Sequence, residues 1–162
     1  MKYFGSIDQG TTSTRFIVFD ENGKVISQHQ QEFKQHLPNE VSVEHDPNEI
    51  WESVINCINE VGKDIPIEQL SSIGITNQRE TTLAWSKSTG KPLHNALVWQ
   101  DTRTQDICDE LKQINDLQGE FTKTGLPIAT YFSLSKILWL LRNIEDVQIA
   151  KANNDLCFGT VD

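Results

Sequence analysis

Three short β-type runs crowd the first 33 residues, and the turns between them leave the chain few ways to fold. Residues 3–7 form a short apolar run that ends at Asp8; residues 16–19 (Phe16-Ile17-Val18-Phe19) and residues 25–33 follow. A Gly/Thr/Ser-rich turn, residues 9–14, separates the first two runs, and Glu21-Asn22-Gly23-Lys24 separates the last two. Asn-Gly accepts the positive φ angles of a type I′ hairpin turn. Consecutive strands joined this tightly pair antiparallel. The spacing therefore predicts a three-stranded meander.

Downstream the pattern alternates. Asp46-Pro47-Asn48-Glu49 opens a helix, with Asp46 as cap, Pro47 at the first helical position and Glu49 where a capping box wants it. Ile50, Trp51, Val54, Ile55, Ile58 and Val61 recur at helical spacing, and Gly62 ends the run. Residues 72–76, 81–85 and 96–99 read as strands. Helix resumes from Thr104, with Ile107, Leu111 and Ile114 on one face, and again over residues 133–141, with Leu134, Ile137, Leu138 and Leu141 as the apolar stripe. A last strand is predicted at residues 156–158. The sum is an α/β domain whose mixed sheet opens with the meander and is flanked by helices. A chain of 162 residues suits one such domain. Its stop at Asp162, straight after a strand, reads as a cut within a larger protein.

Charge narrows the partners. Fourteen Lys+Arg against 23 Asp+Glu give a net charge of −9. That argues against nucleic acid, whose binding needs clustered basic residues, and against an anionic membrane surface. A small anion stays open, because a few backbone N–H groups can hold a phosphate on an acidic protein. Cys57, Cys108 and Cys157 are odd in number and widely spaced, which suits a reducing compartment and packing roles. With no secretory leader pattern at the N-terminus, a cytoplasmic location is expected. His29, His36, His45 and His94 lack metal-ligand spacing.

Four places carry groups suited to chemistry. Asp8-Gln9-Gly10-Thr11-Thr12-Ser13 puts a carboxylate at a strand end, then a glycine turn and three hydroxyl residues, with Arg15 beyond. Such a turn can donate to phosphate oxygens while Asp8 holds Mg²⁺; equally, Asp and Gly serve as plain turn formers. Gln78-Arg79-Glu80 joins two strands, and its fork of donors beside acceptors can grip adjacent hydroxyls or form a surface ion pair. Trp99-Gln100-Asp101-Thr102-Arg103 offers an aromatic face with Asp101 and Arg103 to orient the loop, or a core Trp before a helix cap. Tyr131, after the Gly125-Leu126-Pro127 break, can pack and hydrogen-bond at a helix entrance.

Taken in order, Ile7 to Arg15, Val43 to Trp51, Ile73 to Thr82, Gly90-Lys91-Pro92, Val98 to Arg103, Gly125-Leu126-Pro127 with Tyr131-Phe132, and Phe158 to Asp162 resemble the N-terminal domain of the FGGY carbohydrate kinases. Asn77-Gln78-Arg79-Glu80-Thr81-Thr82 with Trp99-Gln100-Asp101-x-Arg103 is most similar to the members that phosphorylate glycerol. The resemblance implies a ribonuclease-H-like, actin-like ATPase fold with ATP and Mg²⁺ as cofactors. Asp8 would be the metal-side carboxylate, Thr11, Thr12, Ser13 and Arg15 the phosphate contacts, and Arg79, Glu80, Trp99 and Tyr131 the glycerol contacts. The general base and most of the adenosine site would come from a second domain beyond Asp162. No catalytic residue is therefore expected within residues 1–162, and the piece alone is expected to be inactive. A sibling kinase acting on a pentulose or gluconate, or a non-catalytic binding module derived from such a kinase, is the alternative. A homo-oligomeric parent is compatible with either. The chain departs from the family pattern at Ala129-Thr130 before the tyrosine, and at Ser133-Leu134-Ser135-Lys136, where members carry small-x-Thr-Lys.

Overall fold

The structure, a computed structural model, describes residues 2–162. In chain order it runs β1 (Tyr3–Gln9), β2 (Ser13–Asp20), β3 (Val25–Glu32), β4 (Glu44–His45), α1 (Pro47–Gly62), β5 (Leu70–Asn77), β6 (Leu83–Ser86), β7 (Ala96–Leu97), α2 (Gln105–Lys112), α3 (Asn115–Thr124), α4 (Ser133–Asn143), α5 (Glu145–Ala152) and β8 (Leu156–Gly159). The chain divides into two compact units. The first takes the residues up to Gln35 with 45–78 and 161–162, and the second takes 36–44 with 79–160.

In the first unit the strands lie in the order β3-β2-β1-β5. β1 to β3 form the antiparallel meander, and β5 joins β1 in parallel, which makes the sheet mixed. α1 supplies the crossover that a parallel partner requires. Its start keeps the expected cap and proline: Pro47 opens the helix and the Asp46 carboxylate accepts an N–H at 2.8 Å, that of Asn48 and not the Glu49 N–H of a capping box. Alternation along β2 buries Thr14, Phe16, Val18 and Asp20 on one side. Phe16 and Val18 pack with Cys57, Val61 and Ile65. Glycine is needed at position 5, where a Cβ would stand 2.9 Å from the Phe16 ring.

Two expectations shift here. The buried line of α1 is Ile50, Ser53, Cys57 and Val61, and Trp51 is 64% exposed, since it falls about 100° around the helix from Ile50. The β2–β3 turn is not type I′. Only Gly23 has a positive φ, 78°, because the Asp20 carboxylate collects the N–H groups of Asn22 and Lys24 and holds Asn22 out of the left-handed region.

In the second unit β6 pairs antiparallel with β8, and Thr82 exchanges two 2.9 Å backbone bonds with Leu97. Ala84, Leu97, Leu140 and Val147 form its core. The strand expected at residues 96–99 shrinks to Ala96–Leu97. The helix expected from Thr104 breaks after Lys112, so Ile107 and Leu111 are buried while Ile114, between α2 and α3, is exposed. α4 spans the expected region but buries a different face: Ser135, Lys136 and Leu140 are inside and Leu134 is 40% exposed. α5, short and weakly apolar, carries no clear periodic signal in the sequence. Cys57 and Cys108 are buried, Cys157 is half-buried, and all three are free thiols. Among the described residues no helix is long and apolar enough to cross a membrane.

Candidate functional site

In the first unit, the end of β1 and the start of β2 bring the predicted phosphate and metal residues together. Register puts Asp8 opposite Arg15 on β2 and opposite Thr76 on β5, and Arg15 opposite Gln30 on β3. Residues directly opposite each other share a face, so Gln30, Arg15, Asp8 and Thr76 form one row across four strands. The alternation that buries Thr14 and Phe16 against α1 turns this row to the other face. The turn closes through the Gly10 N–H, which donates to the Ser13 carbonyl at 3.0 Å, and a Cβ at position 10 would approach that oxygen to 3.1 Å.

The turn's peptide planes have a set direction. The Thr11 carbonyl accepts from Gln35 Nε2 at 3.0 Å, and the Thr12 carbonyl accepts from the Phe33 N–H at 3.3 Å. In a trans peptide the N–H lies opposite the C=O. The N–H groups of Thr12 and Ser13 therefore point away from Gln35 and Phe33, as donors that can face an anion. Gln35 is held in turn by His45, whose Nε2 lies 2.6 Å from Gln35 Oε1 and whose Nδ1 lies 3.2 Å from Gln78 Nε2. With Gln78 donating to Nδ1, the imidazole carries its proton on Nε2 and donates to Gln35. His45 is fully buried, a supporting role its neighbours in sequence do not announce.

Gln30 is a further residue that sequence reasoning passed over. Its Oε1 accepts from both Nε and Nη2 of Arg15 at 3.0 and 2.7 Å, and its Nε2 donates to Ser13 Oγ at 2.9 Å. One amide thus orients two predicted phosphate contacts. The register of β2 and β3, invisible in the sequence, is what pairs them.

In the second unit, Trp99 and Tyr131 come together with ring centroids 5.6 Å apart. Tyr131 also meets Phe132 edge-on at 5.1 Å and is 40% exposed. Glu80 has φ of 66°, a left-handed conformation that is uncommon for a non-glycine residue. Its Oε2 accepts from the backbone N–H and the hydroxyl of Ser133 at 2.9 and 2.7 Å, which caps α4. Arg79, beside it, is exposed.

Asp101 and Arg103 orient the Trp99 loop, as their types suggest. The Asp101 carboxylate accepts from Arg103 Nε at 3.0 and 2.9 Å, and its Oδ2 also accepts from the Val43 N–H at 2.8 Å. Arg103 Nη2 reaches Glu44 at 2.7 Å, and its guanidinium lies 4.7 Å from the Trp139 ring. Burial pushes the Glu44 carboxyl up, but hydrogen bonds from Arg103 and Asn95 and the Arg103 charge outweigh it and hold the group below the usual carboxylate range. Lys136 is also buried. Burial lowers its pKa to about 8, against the pull of the Asp101 and Glu80 charges.

For a metal, the donor set is sparse. Among the described residues no group of three or more His, Cys, Asp and Glu side chains is placed to hold an ion. Mg²⁺ does not need such a cage, because it takes one or two carboxylates plus phosphate oxygens and water. A half-buried Asp8 at a strand end, beside the Thr11-Thr12-Ser13 turn, fits that pattern.

Residues 3–162 match the FGGY family of carbohydrate kinases, N-terminal domain. The glycerol kinase of Rhizobium meliloti is 51% identical over 163 residues, covering 99% of this chain and 33% of that protein. The crystal structure of Plasmodium falciparum glycerol kinase with ADP superposes with a TM-score of 0.89 at 36% identity, over 99% of this chain and 33% of that one. The gluconate kinase of Lactobacillus acidophilus shares the fold, with a TM-score of 0.83 at 22% identity over 99% of this chain and 31% of that one. This chain thus spans about a third of the length of the relatives it matches. The fold is the actin-like ATPase fold anticipated from the motifs. By that match over residues 3–162, the chain belongs to the FGGY family of carbohydrate kinases and corresponds to their N-terminal domain.

Proposed function

We propose that this chain is the N-terminal part of an ATP-dependent glycerol kinase that converts ATP and glycerol to ADP and sn-glycerol 3-phosphate in the cytoplasm. What carries the reading is 50–51% identity to glycerol kinases along essentially the whole chain. Arg79 donates to glycerol hydroxyls and Glu80 accepts from them, while the Trp99 and Tyr131 rings cover the carbon chain. Opposite polarities on neighbouring residues select adjacent hydroxyls, and the rings reject a more hydrated ligand. The Thr11-Thr12-Ser13 turn and Arg15 hold the transferring phosphate. Asp8 holds Mg²⁺, which when bound neutralises phosphate charge.

The hydroxyl oxygen forms the new bond to the γ-phosphorus as the bond to ADP breaks, and its proton goes to a base supplied from beyond Asp162. Such transfer depends on positioning and charge neutralisation, and residues 1–162 supply one part of both. A chimera in which this chain replaces the matching third of the Rhizobium meliloti enzyme tests the reading. Glycerol-dependent ADP release is expected, with Arg79→Ala lowering kcat/KM by about 10–100-fold, the value of a charged hydrogen bond. A folded chimera that uses gluconate or a pentulose in place of glycerol would overturn the substrate assignment. An unchanged kcat/KM in Arg79→Ala would overturn the site.

A further inference from the structure

Lys136 lies in the first turn of α4 and is wholly buried. Its Nζ donates to the carbonyl oxygens of Thr130 and Tyr131, the latter at 3.1 Å. Those residues precede the helix cap, Phe132, so the α4 ladder offers their carbonyls no partner. Two other contacts fix the same turn: Glu80 grips Ser133, and Ser135 Oγ lies 2.8 Å from Thr104 Oγ1. Both hold the helix. The Lys136 bond reaches the backbone of Tyr131 itself.

The Tyr131 ring needs such a hold. It is 40% exposed, and its contacts with Trp99 and Phe132 are ring edges and faces, not a closed cage. Its position beside Trp99 follows from where its backbone is pinned. A buried ammonium is costly unless it is paired, and a helix start already secured by Glu80 and Thr104 does not require one.

We propose that Lys136 is the positioning residue of the polyol corner: its buried ammonium ties down the Thr130–Tyr131 carbonyls and so keeps the Tyr131 ring beside Trp99. The claim rests on the polyol reading above for its purpose, but the tie itself can be measured separately. The chain has two tyrosines, so ring ¹H–¹³C spectra of the 162-residue protein contain two sets of signals, assigned with Tyr3→Phe. Lys136→Met is expected to move the Tyr131 set to the positions of free tyrosine, as the ring current of Trp99 is lost. Leu140→Ala, a core truncation in the same helix, is expected to lower stability and leave the Tyr131 set in place.

Unmoved Tyr131 signals in folded Lys136→Met overturn the proposal, as does an equal movement in Leu140→Ala. Should Lys136→Met not fold, the wild-type protein decides. Through-hydrogen-bond couplings from Lys136 ¹⁵Nζ to the Thr130 and Tyr131 carbonyl carbons support the tie, and their absence overturns it. Added glycerol separates the two readings. A Tyr131 set that ignores glycerol in the wild type but moves in Lys136→Met overturns the substrate reading and leaves the tie standing.

Discussion

The two candidate regions, one in each unit, are held by different means. The Asp8–Arg15 region is built on strand register: three hairpin strands and β5 place Gln30, Arg15, Asp8 and Thr76 in a row, and a glycine turn aims the backbone. The Arg79–Tyr131 region has little regular structure beneath it. Trp99 and Tyr131 sit on loops, fixed by buried and half-buried polar side chains: Asp101, Arg103 and Glu44 around one, Glu80 and Lys136 around the other. A hairpin spreads its stability over many backbone bonds, so no single side chain decides its geometry. A loop held by buried charges depends on each of them, because removing one leaves another without a partner.

That contrast predicts unequal sensitivity. The largest effect is expected from Arg103→Ala, which leaves Glu44 and Asp101 buried without their cation. A loss of about 3–5 kcal/mol in urea unfolding is expected, and a loss under about 1 kcal/mol would break the contrast. Next comes pH. The Lys136 pKa is lowered from 10.5 to about 8, so between those values the unfolded chain binds more protons than the folded one. The Lys136 contribution to stability therefore rises with pH across that window, by on the order of 3 kcal/mol at its top, while the buried Cys57 thiol, pushed up by burial, works against it. Unfolding midpoints measured across the window should show the rise in wild type and not in Lys136→Met.

Gly5→Ala probes the sheet instead. The new methyl would press on the Phe16 ring and cost about 1–3 kcal/mol, with the Tyr131 ring signals unmoved. The smallest effect is expected from Gln30→Ala. Its side chain is exposed, so stability should change by less than about 0.5 kcal/mol. In the chimera, freeing Arg15 and Ser13 should still raise the KM for ATP.

Most of the first unit was legible because its signals are local. Asp46-Pro47 specifies a helix start whatever surrounds it, and the apolar run Phe16-Ile17-Val18-Phe19 between two turn signals specifies a strand. The second unit was read less well. The stripe Leu134, Ile137, Leu138 and Leu141 suggested the wrong buried face for α4, because Ser135 and Lys136 go inside to partners, Thr104 and the 130–131 carbonyls, that are distant or non-periodic in sequence. Hydrophobic periodicity cannot register a residue buried for its hydrogen bonds.

By itself the sequence determined the meander, the capped helix and the family, and named the residues expected to meet phosphate and polyol, since each rests on short-range pattern or on motif order. Only the tertiary structure decided which side chains hold those residues in place: Gln30 between Ser13 and Arg15, His45 behind Gln35, Arg103 between Glu44 and Asp101, Lys136 beneath Tyr131. Such pairings join residues up to 59 positions apart. Apart from the exposed Gln30 pair, which strand register sets, they form because a buried polar group must find a partner wherever the fold brings one.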